Sequence, residues 1–284
     1  MKHVAIVGIE NSHAEEIIRY LNAPDRSGVG ARVIALVAGE SERTHELAAL
    51  GGVERIVTDA TELMGEIDAL IVTSRDGALH RSLAVPFLEA GTPVWVDKPL
   101  AASVADARET VAAARRGGAL LTSSSALRWV SDTDAVVAGS SSTGELQTLT
   151  VTGPADASSE YSGIFFYGIH ITDVAQRLVP GAPEEIDVQP LRNGLVARYR
   201  VDGILVTLEF VRPEGDARVP FRATVVGRHG VVSRDIVLGH DYVQPGVDAF
   251  VRMLETGVEP IPEEQMIAPI VVLEAVSRFA TVRS

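Results

Sequence analysis

Cysteine is absent from this 284-residue chain, and lysine is nearly so, because Lys2 and Lys98 are the only lysines among 25 basic residues. The lack of cysteine excludes disulfides, thiolate metal sites and cysteine nucleophiles, and is compatible with the cytoplasmic location that we expect. Acidic residues number 38, so the formal net charge is −13. A chain this acidic repels phosphate backbones and anionic lipid headgroups, and no basic patch offsets the repulsion. We therefore expect neither nucleic acid nor a membrane as a partner.

Long hydrophobic runs are also missing. No uninterrupted apolar run approaches the roughly 18 residues of a membrane helix. The first ten residues, MKHVAIVGIE, become strand-like within three residues and carry no cleavage-site pattern, so they are not typical of a signal peptide. With 46% hydrophobic residues, the chain is too apolar for disorder and predicts a soluble globular protein of one large domain or two modest ones.

The first 122 residues alternate short β-branched runs with amphipathic helical stretches. Strands are predicted at 3–8, 32–38, 55–58, 68–73, 93–96 and 119–122, and helices at 12–22, 42–50, 78–90 and 103–116. Strands that are apolar on both faces and separated by helices favour a parallel sheet covered on both sides, which right-handed crossovers make a doubly wound Rossmann fold. Ser12 and Glu15 predict a capping box at the start of the first helix.

Residues 123–284 change to the pattern of an α+β domain on an open, mostly antiparallel sheet. A serine-rich connection with one short helix occupies 123–143; strands are predicted at 145–152, 195–201, 204–212, 221–228 and 231–238, and helices at 164–179, 244–257 and 263–281. Tight turns of the hairpin kind separate several of these strands. The predicted domains are 1–122 and 123–284, with the last helix available to pack back on the first domain.

Ligands of a doubly wound sheet bind at the carboxyl ends of its strands. The first strand ends at Gly8, but Glu10 and His13 stand where a dinucleotide fingerprint has its other two glycines. The helix that follows still offers N–H groups to an anion around Asn11, Ser12 and His13, whereas the Glu10 carboxylate repels a phosphate. A tight turn with a capping box explains this loop equally well.

The end of the second strand leaves the choice between NAD and NADP open. Ala38 stands where an acidic residue normally holds the ribose of NAD, and Gly39 and Glu40 follow it. Glu40 is placed to reach a ribose, while Ser41 with Arg43 is placed to hold a 2′-phosphate.

Lys98 is the lone interior lysine of an arginine-rich chain, which suggests a site where an amine with a shiftable pKa is needed. It lies in the segment 68–100, where a buried strand ends at Thr73-Ser74, a helix carries His80, and a second strand ends in Asp97-Lys98-Pro99. This segment is the most informative part of the sequence.

Here the chain resembles the glucose–fructose oxidoreductase / inositol dehydrogenase / MocA (Gfo/Idh/MocA) family. In that family, the strand corresponding to the one that ends at Asp97-Lys98-Pro99 ends in Glu-Lys-Pro. Leu127-Arg128-Trp129 and Gly144-Glu145-Leu146 are similar to further family segments, so the resemblance covers essentially the whole chain. It implies that Lys98 contacts the nicotinamide ribose and the substrate hydroxyl, and that the peptide bond after it is cis.

A second family motif, D-x-G-x-H-x-x-D, is matched by Gly168, His170 and Asp173, whereas Phe166 replaces the leading aspartate. The resemblance implies that His170 is a general base, and an imidazole suits removal of a hydroxyl proton. Asp173, three residues on along the same helical face, is placed to orient the imidazole. A core histidine and a helix cap or salt bridge are the structural alternatives for these two residues.

The remaining candidates have weaker support. Tyr161 and Tyr167 supply a phenol near the missing aspartate or serve packing, and Arg75 offsets Glu10 near the phosphates. His80 lines the cofactor cleft or packs beneath it. Arg128 is a further cofactor-binding candidate, and its expected role is to orient the side chains that it contacts. No spacing among the histidines and acidic residues indicates a metal site.

Together these features predict an NAD- or NADP-dependent oxidoreductase. It would transfer a hydride to or from a secondary alcohol or ketone carbon of a sugar, cyclitol or similar polyhydroxylated small molecule. We expect a homodimer or homotetramer through the second-domain sheet. The alternative is a non-catalytic sugar- or dinucleotide-binding protein or partner subunit, because two fingerprint glycines, the ribose acid and the catalytic aspartate are absent.

Overall fold

The computed structural model describes residues 1–24 and 30–283, which group into two compact units. The first unit comprises Met1–Ala101, Ala105–Ser124 and Val243–Pro262, and the second comprises Ala102–Val104, Ser125–Tyr242 and the residues from Glu263 on. The sequence prediction divided the chain once, after residue 122, and so placed 243–262 in the second domain. In the structure this segment groups with the first unit, while the last helix groups with the second.

The sheet of the first unit has six parallel strands in the order β3-β2-β1-β4-β5-β6. Its strands are β1 Lys2–Val7, β2 Ala31–Val37, β3 Arg55–Val57, β4 Ala69–Val72, β5 Val94–Asp97 and β6 Leu121–Ser124. All four residues of β4 are buried, and so are all four of β5, because helices cover both faces of a doubly wound sheet. The predicted Rossmann sheet is confirmed. Its strand order reverses between β1 and β4, which is where such sheets bind ligands.

The helices that follow these strands are α1 Ser12–Leu21, α2 Ser41–Gly51, α3 His80–Glu89 and α4 Val104–Gly117. The prediction that Ser12 caps α1 is wrong, because Asn11 is the N-cap. Its side-chain oxygen accepts from the N–H groups of His13 at 2.7 Å and Ala14 at 3.3 Å. Asparagine is at least as good an N-cap as serine, and here it precedes serine by one residue.

The sheet of the second unit is mixed, with the order β12-β11-β7-β10-β9-β8. Its strands are β7 Leu146–Pro154, β8 Glu184–Leu191, β9 Gly194–Val201, β10 Ile204–Val211, β11 Phe221–Gly227 and β12 Gly230–Ile236. The pair β7–β10 is parallel and the other pairs are antiparallel, which confirms a mostly antiparallel sheet. Strand β8 was not predicted, because this edge strand is mostly exposed, contains Pro190 and lacks a buried apolar face.

The remaining helices are α5 Ser131–Ser140, α6 Phe165–Leu178, α7 Gln244–Thr256 and α8 Glu263–Arg283. Helix α6 packs against β7, β10 and α8, and its residues are largely buried. Helix α8 is long and apolar enough to cross a membrane by length and composition alone, a test that a core helix also passes. Ile270, Leu273 and Val276 of α8 are fully buried within the second unit.

Helix α7 belongs to the first unit through side-chain contacts that the sequence does not reveal. The Tyr20 hydroxyl of α1 donates to Asp248 at 2.6 Å, and the rings of Trp95 in β5 and Phe250 lie 5.4 Å apart. Glu259, just after α7, accepts the backbone N–H of Leu121 at 2.8 Å. The segment 243–262 therefore completes the core of the first unit.

Candidate functional site

The loop after β1 packs directly against the loop after β4. Gly8 has φ +84°, and a Cβ added there would lie 2.2 Å from the backbone nitrogen of Ser74, so no other residue fits. The Thr73 hydroxyl donates to the Gly8 carbonyl at 2.7 Å, and the Asn11 amide donates to the Thr73 carbonyl. The single remaining fingerprint glycine is thus required by close approach of two loops at the strand-order reversal.

Glu10 is held by the same neighbouring loop. Its carboxylate accepts the backbone N–H of Arg75 at 2.8 Å. The backbone amide of Arg75 thus binds the Glu10 carboxylate, and the prediction that the Arg75 side chain offsets the charge of Glu10 stays a prediction.

The predicted cofactor-binding residues that follow β2 contact other groups of the chain itself. The Glu40 carboxylate caps α2 by accepting the N–H groups of Arg43 at 2.8 Å and Glu42 at 3.1 Å, and these bonds lower the pKa of Glu40. The Arg43 guanidinium pairs with Glu15 at 2.9 Å and donates to the Ile9 and Asn11 carbonyls. Gly39 lies against the Ile9 side chain. One carboxylate therefore already fills the anion-binding end of α2.

His13 and Asp97 form a buried pair across the ends of α1 and β5. The His13 Nδ1 lies 2.7 Å from the Asp97 carboxylate, and the side chains are 13% and 4% exposed. Burial acts to raise the pKa of Asp97, but the charge and hydrogen bond of His13, with the nearby Lys98, outweigh it and hold that pKa at about 2. Asp97 is therefore ionised at any ordinary pH.

Lys98 follows Asp97 and precedes a cis peptide bond to Pro99. Its side chain lies in a buried position, with the residue 7% exposed. Burial, aided by the positive charge of Arg75, lowers the pKa of Lys98 against the opposing effect of Asp97. The amine is thereby brought closer to the range in which it can exchange a proton near neutral pH.

His80 lies beneath this site rather than on its surface. The residue is fully buried, its Nδ1 lies 2.6 Å from the Pro99 carbonyl oxygen, and its Nε2 lies 2.8 Å from the Ser74 carbonyl oxygen. Burial lowers the pKa of His80. The imidazole therefore ties the Lys98-Pro99 turn to the loop after β4, which agrees with the interpretation that His80 packs beneath a cofactor cleft.

An unsatisfied hydroxyl marks where a ligand fits. Over residues 1–24 and 30–283, the buried side-chain atom without a hydrogen-bond partner is Ser74 Oγ. Buried polar groups nearly always have partners, so an orphan is a reason to expect a bound group. Ser74 lies against Gly8, next to the N-terminus of α1, where a doubly wound sheet holds a dinucleotide phosphate. The residues present fit a dinucleotide.

A second cluster lies in the second unit and centres on Ser125. The Ser125 hydroxyl lies 2.7 Å from His170 Nδ1, and the Ser125 backbone N–H donates to Asp173 at 2.8 Å. The Arg128 guanidinium pairs with the other carboxylate oxygen of Asp173 at 2.7 Å. Asp173 holds Ser125, and Ser125 contacts the imidazole, so the predicted orienting role of Asp173 would act through Ser125.

Arg128 is itself fixed within this unit. It donates to Gln265 of α8, and Arg177 donates to the Arg128 carbonyl. Burial raises the pKa of Asp173, while the Arg128 charge and the Ser125 N–H oppose that rise. Sequence reasoning missed Ser125, Gln265 and Arg177. The serine run at 123–125 is typical of a connection, and nothing in the local sequence indicates the other two residues.

Aromatic rings surround His170. Phe166 lies 5.0 Å from Tyr161 and 5.2 Å from Tyr167, and the His170 ring lies between Tyr167 at 5.3 Å and Phe221 at 5.6 Å, all as centroid distances. We call these four aromatic residues the aromatic row. Phe166, which stands in place of an aspartate, is thus part of an apolar wall, and Phe221 is a further member that the sequence did not reveal.

The structure gathers the predicted residues into two groups, each within one unit. The group at the carboxyl ends of β1, β4 and β5 comprises Gly8, Glu10, Asn11, Ser12, His13, Thr73, Ser74, Arg75, His80, Asp97 and Lys98. Gly39 and Glu40 follow β2. The group in the second unit comprises Arg128, Tyr161, Tyr167, His170 and Asp173.

Comparison with known proteins shows which family the first group resembles. Residues 2–125 match the family model described as an oxidoreductase family with an NAD-binding Rossmann fold, GFO_IDH_MocA. This part of the chain is therefore similar to the Gfo/Idh/MocA family. The matched range contains every element from β1 to β6 and ends at Ser125, so the similarity covers the Lys98 group.

Curated Gfo/Idh/MocA relatives match part of the chain. A 1,5-anhydro-D-fructose reductase from Ensifer adhaerens is 32% identical over 130 residues, which cover 45% of this chain and 37% of that protein. An inositol 2-dehydrogenase from Saccharopolyspora erythraea is 41% identical over 86 residues, covering 29% of this chain and 25% of that protein. The chain thus matches less than two fifths of the length of either relative.

Solved structures extend the similarity of fold to the second unit. Myo-inositol 2-dehydrogenase from Lactobacillus plantarum superposes with a TM-score of 0.83 at 16% identity, covering 100% of this chain and 98% of that one. GenD2 from gentamicin A biosynthesis, solved in complex with NAD, superposes with a TM-score of 0.81 at 17% identity, covering 99% and 94%. At these identities the similarity establishes the fold alone, and it does so over nearly the whole chain.

Proposed function

We propose that the chain is an NAD(P)-dependent oxidoreductase acting on a secondary alcohol or ketone carbon of a sugar, cyclitol or similar polyhydroxylated compound. The observation that carries the proposal is Lys98. This buried lysine, with its lowered pKa, follows the carboxyl end of β5, within the part of the chain that matches a family model for NAD-binding oxidoreductases. The curated relatives named above, a reductase and an inositol dehydrogenase, support the reaction class.

The cofactor would be held by the loops after β1 and β4. The Ser74 hydroxyl has a free hydrogen-bonding capacity, and His13 with its partner Asp97 lies at the N-terminus of α1. When bound, the nicotinamide accepts or supplies the hydride. Lys98 polarises the reacting oxygen of the substrate through its ammonium group.

His170 would exchange the hydroxyl proton. Ser125 contacts Nδ1, so Nε2 is the nitrogen that takes the proton from the alcohol or returns it to the ketone. Ser125 is a positioning residue, because it sets the orientation of the ring, and Asp173 with Arg128 sets the position of Ser125.

Two observations favour the alternative in its non-catalytic sugar-binding or partner-subunit form. The Asn11 side chain already accepts the N–H groups of His13 and Ala14, which a dinucleotide phosphate would otherwise use. Phe166 also leaves the second unit without the family's first aspartate.

Titration with NADH and NADPH tests the proposal. Trp95 in β5 is two residues from Asp97, and its fluorescence should transfer to the nicotinamide on binding. We expect saturable binding of at least one dinucleotide at micromolar concentration, followed by turnover of a polyol from a panel of sugars and cyclitols. The oxidoreductase assignment fails if neither dinucleotide binds at millimolar concentration.

The two lysines provide a matched pair of variants. Lys98→Met should lower kcat by about 10²–10³-fold, the range for loss of one group that stabilises charge on the reacting oxygen, while the dinucleotide still binds. Lys2→Met removes the only other lysine, which is half-exposed and pairs with Asp68 at 3.6 Å, and should leave kcat unchanged. Equal turnover by both variants would exclude Lys98 from the reaction.

We further propose a cytoplasmic homodimer or homotetramer that associates through the second-unit sheet. Threonines alternate with buried residues on β7, β10 and β11, and lie half-buried on one shared face of the sheet: Thr148, Thr150, Thr152, Thr207 and Thr224. Such a flat face of small β-branched residues suits sheet-on-sheet packing. Sedimentation velocity over a range of protein concentrations tests the assembly.

A further inference from the structure

The second unit contains a cavity of about 700 Å³ that is lined by two neighbours of the proposed general base. Tyr167 and Phe221, the two rings that flank His170, both line it. Its volume lies within the range of about 300–1,000 Å³ that sites for drug-sized ligands occupy. A substrate whose alcohol carbon meets His170 would therefore have this space beside it.

The wall of the cavity is mainly apolar. Its apolar lining includes Pro154, Val219, Pro220, Phe221, Val237 and Leu238. Tyr167, Val237 and Leu238 are 44%, 64% and 38% exposed, so large hydrophobic side chains face solvent together at this one place. A cluster of exposed apolar side chains beside a catalytic candidate indicates a surface that a ligand covers.

Two of the three charged groups in the cavity lining are paired within the chain. Asp156 pairs with Arg212 at 3.4 Å and accepts from the Ser158 hydroxyl at 2.6 Å, and Asp235 pairs with Arg222 at 2.6 Å. Arg218 is the other charged residue of the lining. Both carboxylates are thus already neutralised by partners within the chain.

Phe166 adds to the apolar surroundings of the cavity. It takes the place at which the family motif has an aspartate, and its ring packs between Tyr161 and Tyr167 in the aromatic row. Burying hydroxyl groups against such a wall without partners costs free energy, whereas burying alkyl or aryl groups gains it.

We propose that the substrate carries a substantial apolar substituent, such as an alkyl or aryl group linked to the hydroxylated ring, and that this substituent occupies the cavity. The proposal rests on the proposed function, because it assigns the occupant of the space beside His170. It changes the expected substrate from a free polyol to an amphiphilic derivative of one.

Paired glucosides that differ in the alkyl group test this assignment. Methyl and hexyl β-D-glucoside are titrated by calorimetry into the purified full chain, below the micelle concentration. Five additional methylene groups, partly buried, should make the hexyl compound bind about 30-fold more tightly. The same pair is then assayed for turnover with NAD and NADP.

Two exposed valines give the variant and its control. Val237→Asp places a charge on the cavity wall and should reduce the preference for the hexyl compound to about threefold. Val231→Asp changes a valine of similar exposure, 62%, on β12 outside the cavity lining, and should leave the preference intact.

The outcomes separate this inference from the proposed function. Equal binding of both glucosides, or binding of neither, overturns the inference, even where the protein turns over free polyols. The predicted preference without turnover by either cofactor supports the cavity assignment while the oxidoreductase function fails. If Val237→Asp instead dissociates an oligomer and leaves the preference unchanged, a second copy covers this surface and the inference is wrong.

Discussion

At the scale of single residues, the ionised Asp97 connects the site to the stability of the first unit. Its pKa of about 2 lies below the ordinary 3.8, so the carboxylate form is favoured in the folded state. A depressed carboxyl pKa contributes stability that is present above pH about 4 and is lost as the pH falls toward about 2.

Asp97→Asn should therefore lower the free energy of unfolding by about 2 kcal/mol at pH 7. The difference between wild type and variant should shrink between pH 4 and pH 2 and vanish below that range. Urea denaturation at a series of pH values, followed by Trp95 fluorescence, measures it. Asp202→Asn, at an exposed turn, is the control and should show no such pH dependence.

Some single residues could be identified from sequence and others could not. Lys98 is a candidate because lysine is almost absent, and His170 is a candidate because three residues of a spaced motif are present. Ser125 was not, since its contact with His170 joins residues 45 positions apart and depends on the folded second unit. Local sequence indicates which residue types are available for chemistry, but not which neighbours complete their hydrogen bonds.

At the scale of elements, the capped start of α2 bears on cofactor choice. A 2′-phosphate would need the N–H groups of Glu42 and Arg43 and also the Arg43 guanidinium. The Glu40 carboxylate already accepts both N–H groups, and the guanidinium pairs with Glu15. The ionised Glu40 also repels a phosphate. We therefore expect the wild-type protein to bind NADH more tightly than NADPH.

Glu40→Ser keeps a side chain that can cap α2 and removes the charge. The ratio of the Kd values for NADPH and NADH should fall by about tenfold, as expected for loss of one nearby repulsive charge. Glu42→Ser, which removes the neighbouring carboxylate without removing the cap, is the matched control. An unchanged ratio in the Glu40 variant would show that the end of α2 does not contact the adenosine ribose.

Elements with a buried face were predictable from their apolar pattern, and the exception has a physical cause. Strands β1, β4 and β10 place apolar residues in the core, so periodicity identified them. Strand β8 has one neighbour, β9, and its side chains are mostly exposed. It is held by backbone hydrogen bonds to β9, and the apolar periodicity of a sequence does not indicate such bonds.

At the scale of the whole molecule, the first unit depends on a segment that is distant in sequence. Phe250 of α7 is fully buried and lies against Trp95. Phe250→Ala should destabilise the first unit by about 3–5 kcal/mol, the usual cost of removing a buried phenylalanine, and should shift Trp95 emission to longer wavelength.

The measurement is best made in a Trp129→Phe background, so that Trp95 is the sole reporter. Phe210→Ala removes a buried phenylalanine of the second unit and should not shift Trp95 emission. A similar spectral change in both variants would mean that Trp95 does not report on packing of α7.

Because residues 243–262 belong to the first unit, synthesis of this unit is completed only after most of the second unit has been made. A ribosome releases β1 to β6 long before Phe250 and Glu259, so the nascent first unit must wait for these residues while the second unit emerges. During that interval Trp95 and the backbone of β6 lack their native neighbours. We therefore expect translation speed and chaperone access over the intervening 118 residues, 125–242, to affect the folding yield of the first unit.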